Sequence, residues 1–382
     1  MVPTVAVVRC DSYADRTVAS AISNALCLIG GMKAFVKPND RVLIKPNLLS
    51  ASAPDRAITT HPAVVKAVVR EIQAAGGIPI IADSPGGPFD RRFLELVYGV
   101  TGMSAVSKET GAALNVDTGS FEASNPDGRL VKRLDLMGVL NDVDTVITLP
   151  KMKTHVLTQF TGATKILFGV VPGLTKPVYH MKFQDVWRFS DMLLDILCYV
   201  KPSLSIMDAV VGLEGDGPGA HGTPMKVGLI LAGSDSVALD VVASAIAGMD
   251  PLDVPIIRRA AERGLTSGRL SDVNVAGVRI EDVRVAFKRP SQAGGIMGAV
   301  LRLPVIRSSF LGLFAQYPAA NDRCVRCGVC VKSCPMKAIT IGDIARMDLR
   351  KCIRCYCCHE LCPHGAVTLK SPILGRLFFR SG

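Results

Sequence analysis

The chain lacks any uncharged run long enough to cross a membrane. The longest, Thr17–Met32, is 16 residues and carries Ser, Asn and Gly, short of the roughly 18 apolar residues a span needs. The N-terminal stretch Met1-Val-Pro-Thr-Val-Ala-Val-Val-Arg9 has neither a basic leader nor a small-residue cleavage site, so a cytoplasmic protein is expected. No Walker A pattern occurs, no G-x-G-x-x-G is read after a predicted strand, and no H-E-x-x-H is present. ATP, dinucleotide and zinc-protease sites of those types are therefore not expected. Disorder is excluded as well, because 49% of the 382 residues are hydrophobic and 20% charged.

What the chain does have is positive charge and cysteine. Net charge is +11, from 44 basic and 33 acidic residues. Residues 321–382 hold 11 Lys/Arg against 4 Asp/Glu, and nine of the twelve cysteines. An oxidised 4Fe–4S core with four thiolates carries about −2, so two such clusters offset much of this local excess. The basicity then reads as compensation for buried anions, and nucleic acid is not expected as a partner.

The cysteines repeat one pattern twice. Cys324-x₂-Cys327-x₂-Cys330-x₃-Cys334-Pro335 is followed by Cys352-x₂-Cys355-x₂-Cys358-x₃-Cys362-Pro363, the bacterial ferredoxin pattern for two 4Fe–4S clusters. Three close thiolates wrap one corner of a cubane, and the fourth, carried away by the longer spacer, serves the other cluster. The first cluster is expected on Cys324, Cys327, Cys330 and Cys362, and the second on Cys352, Cys355, Cys358 and Cys334. Ala338-Ile-Thr-Ile341 and Ala366-Val-Thr-Leu369 follow the two motifs at equal distance, as strands of a pseudo-twofold pair would. Structural zinc favours cysteine pairs set further apart, and disulfides an oxidising compartment. Cys357 reads as a bystander between ligands, and Cys10, Cys27 and Cys198 as core residues. The segment resembles two-cluster bacterial-type ferredoxins.

Residues 1–289 alternate short Val/Ile runs with helical patterns. Val5–Cys10, Arg41–Lys45, Ile78–Ala82, Thr145–Leu149, Leu204–Met207 and Val227–Ala232 read as buried strands. Arg16–Leu28, Pro62–Ala75, Asp90–Val97, Trp187–Val200, Ser236–Ala247 and Val254–Gly264 read as helices between them. This is an α/β domain with a largely parallel sheet, followed by a small α+β ferredoxin-like domain over 321–382. Residues 290–320 read as a linker with an apolar, weakly basic stretch, Ile296–Phe314. Such a stretch packs on its own domain or forms a homo-oligomer contact more often than it lies on a membrane.

Lys45-Pro-Asn47, Thr60-His-Pro62, Asp83-Ser-Pro-Gly-Gly87, Lys151-Met-Lys-Thr-His155, Gly162-Ala-Thr-Lys165, Asp208 with Glu214-Gly215, and Ala238-Leu-Asp240 punctuate the α/β part. With these motifs the chain resembles the domain-of-unknown-function family 362, whose members often end in a ferredoxin module and share no settled single reaction. Two positions depart from the family pattern: Ile166 stands where Asn is expected, and Ser236 where Pro is.

Read physically, the motifs follow apolar strands, and ligands of open parallel sheets bind beyond the strands' carboxyl ends. Asp83, Lys151, Lys153 and His155 are the candidate catalytic residues, with His155 suited to proton transfer. Lys45, Asn47, Ser84, Gly86, Gly87 and Lys165 are the candidate ligand-binding residues. The lysines suit a carboxylate or phosphate, and the Ser-Pro-Gly-Gly amides could receive an anion. His61 is a further acid, base or ligand candidate. The expected function is iron–sulfur electron transfer with a redox partner protein, the α/β domain binding that partner or an anionic small ligand. The alternatives are a reductase acting on an anionic substrate and a redox-sensing or maturation protein.

Overall fold

The computed structural model of the chain describes residues 2–173, 175–291 and 316–370. Ile296–Phe314 lies outside the described residues.

Apolar runs rich in Val and Ile form the strands, and polar caps start the helices between them. Strand β1 (Thr4–Arg9) leads to helix α1 (Asp15–Cys27), β2 (Arg41–Pro46), α2 (Pro62–Ala74) and β3 (Ile78–Ile81). Pro62 occupies the first turn of α2, where its missing N–H has no partner to lose. Asp90 caps the next helix, α3 (Arg91–Val100), accepting from the Phe93 amide at 2.8 Å. Then come α4 (Met103–Thr110), β4 (Ala113–Leu114), a hairpin of β5 (Ser120–Ser124) and β6 (Arg133–Met137), and β7 (Thr145–Leu149). After these follow β8 (Lys151–His155), β9 (Gln159–Thr161), α5 (Thr175–Lys182) and α6 (Val186–Val200). The domain finishes with β10 (Leu204–Gly215), β11 (Gly222–Gly233), α7 (Ser236–Ile246), α8 (Pro255–Glu262) and β12 (Asn274–Gly277).

All of these strands except the β5–β6 hairpin build a 10-stranded sheet in the order β12-β1-β11-β10-β7-β2-β3-β4, with β8 joined to β10 and β9 to β8. The stretch β10-β7-β2-β3-β4 is parallel, as the alternating pattern predicts. Helices and their apolar faces bury both sides of it.

Four features differ from the sequence reading. β10 and β11 are each 12 residues long and run antiparallel, and β1 is antiparallel to β11, so the sheet is mixed on that side. Only the apolar half of each long strand is recognisable, because the outer half carries Glu, Gly, Thr and Lys. Gly217-Pro-Gly-Ala-His-Gly222 has dinucleotide-loop spacing but joins these two antiparallel strands and opens no helix. Lys151 does not follow its strand as a loop residue: after Pro150 the chain starts β8, which turns onto β9. Cys27 is exposed, although Cys10 is buried and Cys198 half-buried; it falls in the last turn of α1, off the helix's buried face.

The cysteine segment folds into β13 (Tyr317–Ala320), α9 (Val329–Lys332), β14 (Ile339–Ile341), β15 (Ala345–Met347), α10 (Cys357–Glu360) and β16 (Val367–Lys370). The two strands expected after the motifs are β14 and β16. They do not pair with each other: β14 pairs with β15, and β16 with β13.

Candidate functional site

The two cysteine motifs adopt matching backbone bends. Arg326 and Arg354, Gly328 and Tyr356, and Lys337 and Gly365 occupy equivalent places, and all six have positive φ, between 49° and 76°. Four of these are not glycine, an uncommon conformation that recurs where geometry is functionally constrained. The bends curl each motif around a hollow. One, of about 330 Å³, is lined by Cys324, Cys327, Cys330 and Cys362. The other, of about 370 Å³, is lined by Cys334, Cys352, Cys355, Cys357 and Cys358. The fourth cysteine of each motif thus stands with the first three of the other.

The donor set suits a polynuclear cluster. Among the described residues no group of His, Cys, Asp and Glu closes on a single-ion position; the thiols ring hollows instead. Backbone amides point at the sulfurs: Ala345 at Cys324 (3.4 Å), Ala338 at Cys334 (3.3 Å), Arg354 at Cys352 (3.4 Å) and Ala366 at Cys362 (3.2 Å). Such N–H···S contacts stabilise thiolate charge and tune cluster potential.

A third pocket, about 770 Å³ counting its open mouth, lies where the strand ends of the α/β sheet meet α10. Of the residues expected from sequence, it brings together Lys45, Asn47, Asp83, Ser84, Gly86, Gly87 and Lys165. Lys176, His180 and Glu360 line it as well, and sequence reasoning missed all three. Lys176 and His180 lie in α5, an unexpected helix, and Glu360 sits between cluster cysteines, so no strand-end pattern marks them. Lys151, Lys153 and His155 are not among its lining residues.

Their own partners explain why. Lys151 donates to Asp208 (2.8 Å) and to the Tyr13 hydroxyl (2.7 Å), which itself donates to Asp208 (2.8 Å). Tyr13 stacks on His61 at 3.7 Å, and the His61 ring caps α2 by accepting from the Ala63 amide. Burial pushes that ring down to about 4, so His61 is a neutral structural cap. Lys153 donates to the Ile58 carbonyl at 2.8 Å and reaches Asn47 at 3.4 Å. His155 Nδ1 accepts from the amides of Leu157 and Thr158, which leaves the proton on Nε2, 3.4 Å from Glu360 Oε1. Burial and nearby lysines hold this ring well below its ordinary pKa. Lys153 and His155 each touch a lining residue without facing the ligand space.

Within the pocket, Lys45 at the end of β2 donates to Asp83 beyond β3 at 2.6 Å and to the Pro46 carbonyl at 3.0 Å. Asp83 also accepts from the Leu48 amide at 2.7 Å. Gly169 packs against this pair: a Cβ there would lie 2.3 Å from Asp83 Oδ1 and 2.4 Å from Lys45 Nζ. Burial lowers the Lys45 pKa, opposed by Asp83. Lys176 donates to the Ser84 carbonyl (2.5 Å), the Ser84 hydroxyl (2.8 Å) and the Pro85 carbonyl (3.3 Å), and burial brings it to about 7. Burial raises Glu360 to about 7.

Lys165 is placed by two motifs acting together. Asp240 of α7 accepts from the amides of Ala163 (2.6 Å) and Thr164 (2.9 Å), which fixes the turn that carries Lys165. Burial raises Asp240 to about 6 while those amides oppose the shift. Lys165 is half-buried and has no hydrogen bond or ion pair among the described residues. The Ser-Pro-Gly-Gly turn, by contrast, leaves only the Gly87 amide without a bonded acceptor among the described residues, so it is not a nest of several amides. The Ser84 amide donates to Gly169 O (2.9 Å), the Gly86 amide to Leu49 O (3.0 Å), and Pro85 has no N–H.

The pocket and the second hollow share a wall. Cys357 lines both, and Ser333, beside Cys334, also lines the pocket. A mixed α/β domain with a strand-end lysine pocket therefore abuts a ferredoxin-type module. The family profile of the domain of unknown function DUF362 matches residues 42–245, and that of a 4Fe-4S dicluster domain matches 323–366. The chain belongs to the DUF362 family and carries a 4Fe–4S ferredoxin-type domain. It is similar to the thylakoid-associated protein sll1697 of Synechocystis sp. (strain ATCC 27184 / PCC 6803 / Kazusa), at 37% identity over 272 residues, 69% of this chain and 81% of that one.

Two solved structures are also similar. The lactate racemase apoprotein from Thermoanaerobacterium thermosaccharolyticum gives a TM-score of 0.43 at 14% identity, over 65% of this chain and 57% of that one. A protein from Thermotoga maritima gives 0.39 at 13% identity, over 64% and 61%. The chain thus spans less than two thirds of either structure. Among the described residues no helix is long and apolar enough to cross a membrane.

Proposed function

We propose that this protein is an iron–sulfur oxidoreductase, in which two 4Fe–4S clusters exchange electrons with a small anionic ligand in the lysine pocket. The observation that carries the reading is the shared wall: Cys357 borders both the second cysteine hollow and the pocket. A carrier that only passes electrons between proteins has no need of a ligand pocket against its cluster. The crossed cysteine sets of the two hollows support two clusters, with Cys324, Cys327, Cys330 and Cys362 on one and Cys334, Cys352, Cys355 and Cys358 on the other.

Each cluster moves one electron at a time, and the protein supplies burial, charge and orientation. Two clusters held by these cysteines would supply the two electrons of a ligand reduction, with a redox partner protein as their source and water as the source of protons. Lys165, with one N–H of Lys45, holds the ligand's negative charge, while Asp83 fixes Lys45 and Lys176 braces the Ser84–Pro85 turn. Lys153 and His155 support Asn47 and Glu360 from outside the ligand space.

The test is anaerobic stopped-flow reoxidation of the dithionite-reduced protein. A small organic anion that reoxidises the clusters, saturably and with loss of the effect in Lys165→Met, supports the reading. Reoxidation by proteins alone overturns it in favour of the carrier.

A further inference from the structure

The lysine pocket has more cations than it can neutralise. Its lining includes three ammonium groups, Lys45, Lys165 and Lys176, and two carboxylates, Asp83 and Glu360. One positive charge is left over. Net charge alone does not say where a ligand would sit, but the hydrogen-bond donors do. An ammonium has three N–H donors. Lys176 directs its three at Ser84 O, Ser84 Oγ and Pro85 O. Lys45 directs two at Asp83 and Pro46 O, and keeps one. Lys165 keeps all three.

The free donors therefore lie at Lys165, within the influence of Glu360, with Lys45 adding one N–H, while Lys176 is the lysine bonded only to neutral oxygens. A phosphate dianion would leave one negative charge without a partner, and uncompensated buried charge is costly. It would also want a ring of amides, yet those of Ser84 and Gly86 are bonded to Gly169 O and Leu49 O. A carboxylate has one charge and two oxygens, which matches what is free. Leu48, Leu49, Ile166, Phe168, Pro177 and Leu361 make the rest of the lining mostly apolar, with Asn47, His180 and Ser333 as its further polar points, which suits a body that is largely hydrocarbon.

We infer that the ligand is an organic monocarboxylate with an apolar body, its carboxylate on Lys165 and its body against the Leu48, Phe168 and Leu361 walls. The inference rests on the reading of this pocket as the ligand site. Ile166 belongs to it, presenting a hydrocarbon surface beside the anchoring lysine.

Isothermal titration of the anaerobic, cluster-loaded protein tests this with phenylacetate, 4-methylpentanoate, phenylacetamide, benzylphosphonate and inorganic phosphate. The carboxylates should bind, and the amide and the phosphonate should bind about ten- to a hundredfold more weakly, the range a charge-assisted hydrogen bond accounts for. Lys165→Met should lose carboxylate affinity by a similar factor while retaining the cluster absorbance, and Lys165→Arg should restore part of it. Phosphonate or phosphate binding more tightly than carboxylate overturns the inference. So does a Lys165→Met protein with unchanged affinity, or binding of neither carboxylate at millimolar concentration. Carboxylate binding with no reoxidation of the reduced clusters by a reducible carboxylate, an enoate or a 2-oxo acid, leaves the inference standing and sinks the oxidoreductase reading. Reoxidation by reducible phosphonates alone does the reverse.

Discussion

Gly219, in the turn between β10 and β11, packs against the backbone carbonyl of Glu360 in the cluster helix α10. A Cβ at Gly219 would lie 2.3 Å from that oxygen. Backbone stands on both sides of this contact, so neither side yields as a flexible side chain would. It is one of the points where the α/β domain is fitted to the ferredoxin-type module.

Gly219→Ala should therefore loosen the junction, by about 1–3 kcal/mol if it behaves like other overpacked sites. Both clusters should still assemble, since no cysteine is touched. Limited proteolysis should become faster between the two parts, and ligand-dependent reoxidation slower. Unchanged proteolysis and kinetics would show that the junction does not depend on this contact.

The crossed cysteine sets predict about eight irons per chain after anaerobic reconstitution. Cys334→Ala should damage the cluster of the second motif, and Cys362→Ala that of the first. Electron paramagnetic resonance of the partly reduced variants separates the two signals. Cys357→Ser should keep both, because eight other cysteines complete two cubanes, whereas Cys355→Ser and Cys358→Ser should each lose iron. If Cys357→Ser alone loses iron, the ligand register is wrong.

Asp208 is the centre of a buried polar network, accepting from Tyr13, Lys151 and the His61 amide. Removing one partner of a buried pair strands the other, at a cost of about 3–5 kcal/mol. Asp208→Ala should accordingly lower the anaerobic thermal midpoint far more than Lys165→Met, whose target residue has no bonded partner to strand. Equal losses would mean that Lys165 carries structural interactions beyond its geometry.

Lys176 predicts a pH dependence with a defined sign. Its native pKa is about 7, against an ordinary 10.5, so between those values the unfolded chain holds a proton that the native state has released. Stability rises with pH wherever the unfolded state binds more protons. The burial penalty is full below about 7 and is relieved as pH climbs towards 10.5. The thermal midpoint of the wild type, measured relative to Lys176→Met, should therefore increase over that window. A flat difference would mean that Lys176 keeps its proton through salt-bridged or hydrated charge.

The cysteines that line each hollow are legible in the sequence because the first three of each motif, separated by two residues each, are close enough in the chain to face one centre. The parallel strands β2, β3 and β7 were legible for a similar reason, since strands buried on both faces must be continuously apolar. Placing Lys45 and Asp83 on one sheet edge needed only the rule that parallel strands end together.

Only the tertiary structure decided the rest. The sequence reading put Lys151, Lys153 and His155 among the catalytic candidates because they follow β7; the start of β8 after Pro150 instead aimed them at Asp208, Ile58 and Glu360. Lys176 and Glu360 carry no pattern of their own, and they reach the pocket through α5 and α10, elements brought to the strand ends by packing. Which lysine is free is likewise invisible along the chain. Lys45, Lys165 and Lys176 are the same residue type, and they differ only in the oxygens the fold sets around each ammonium. Spacing determines chemistry where the ligands of one site are neighbours in sequence. Where a site is assembled from distant segments, burial and hydrogen-bond partners determine it, and those exist only once the chain has folded.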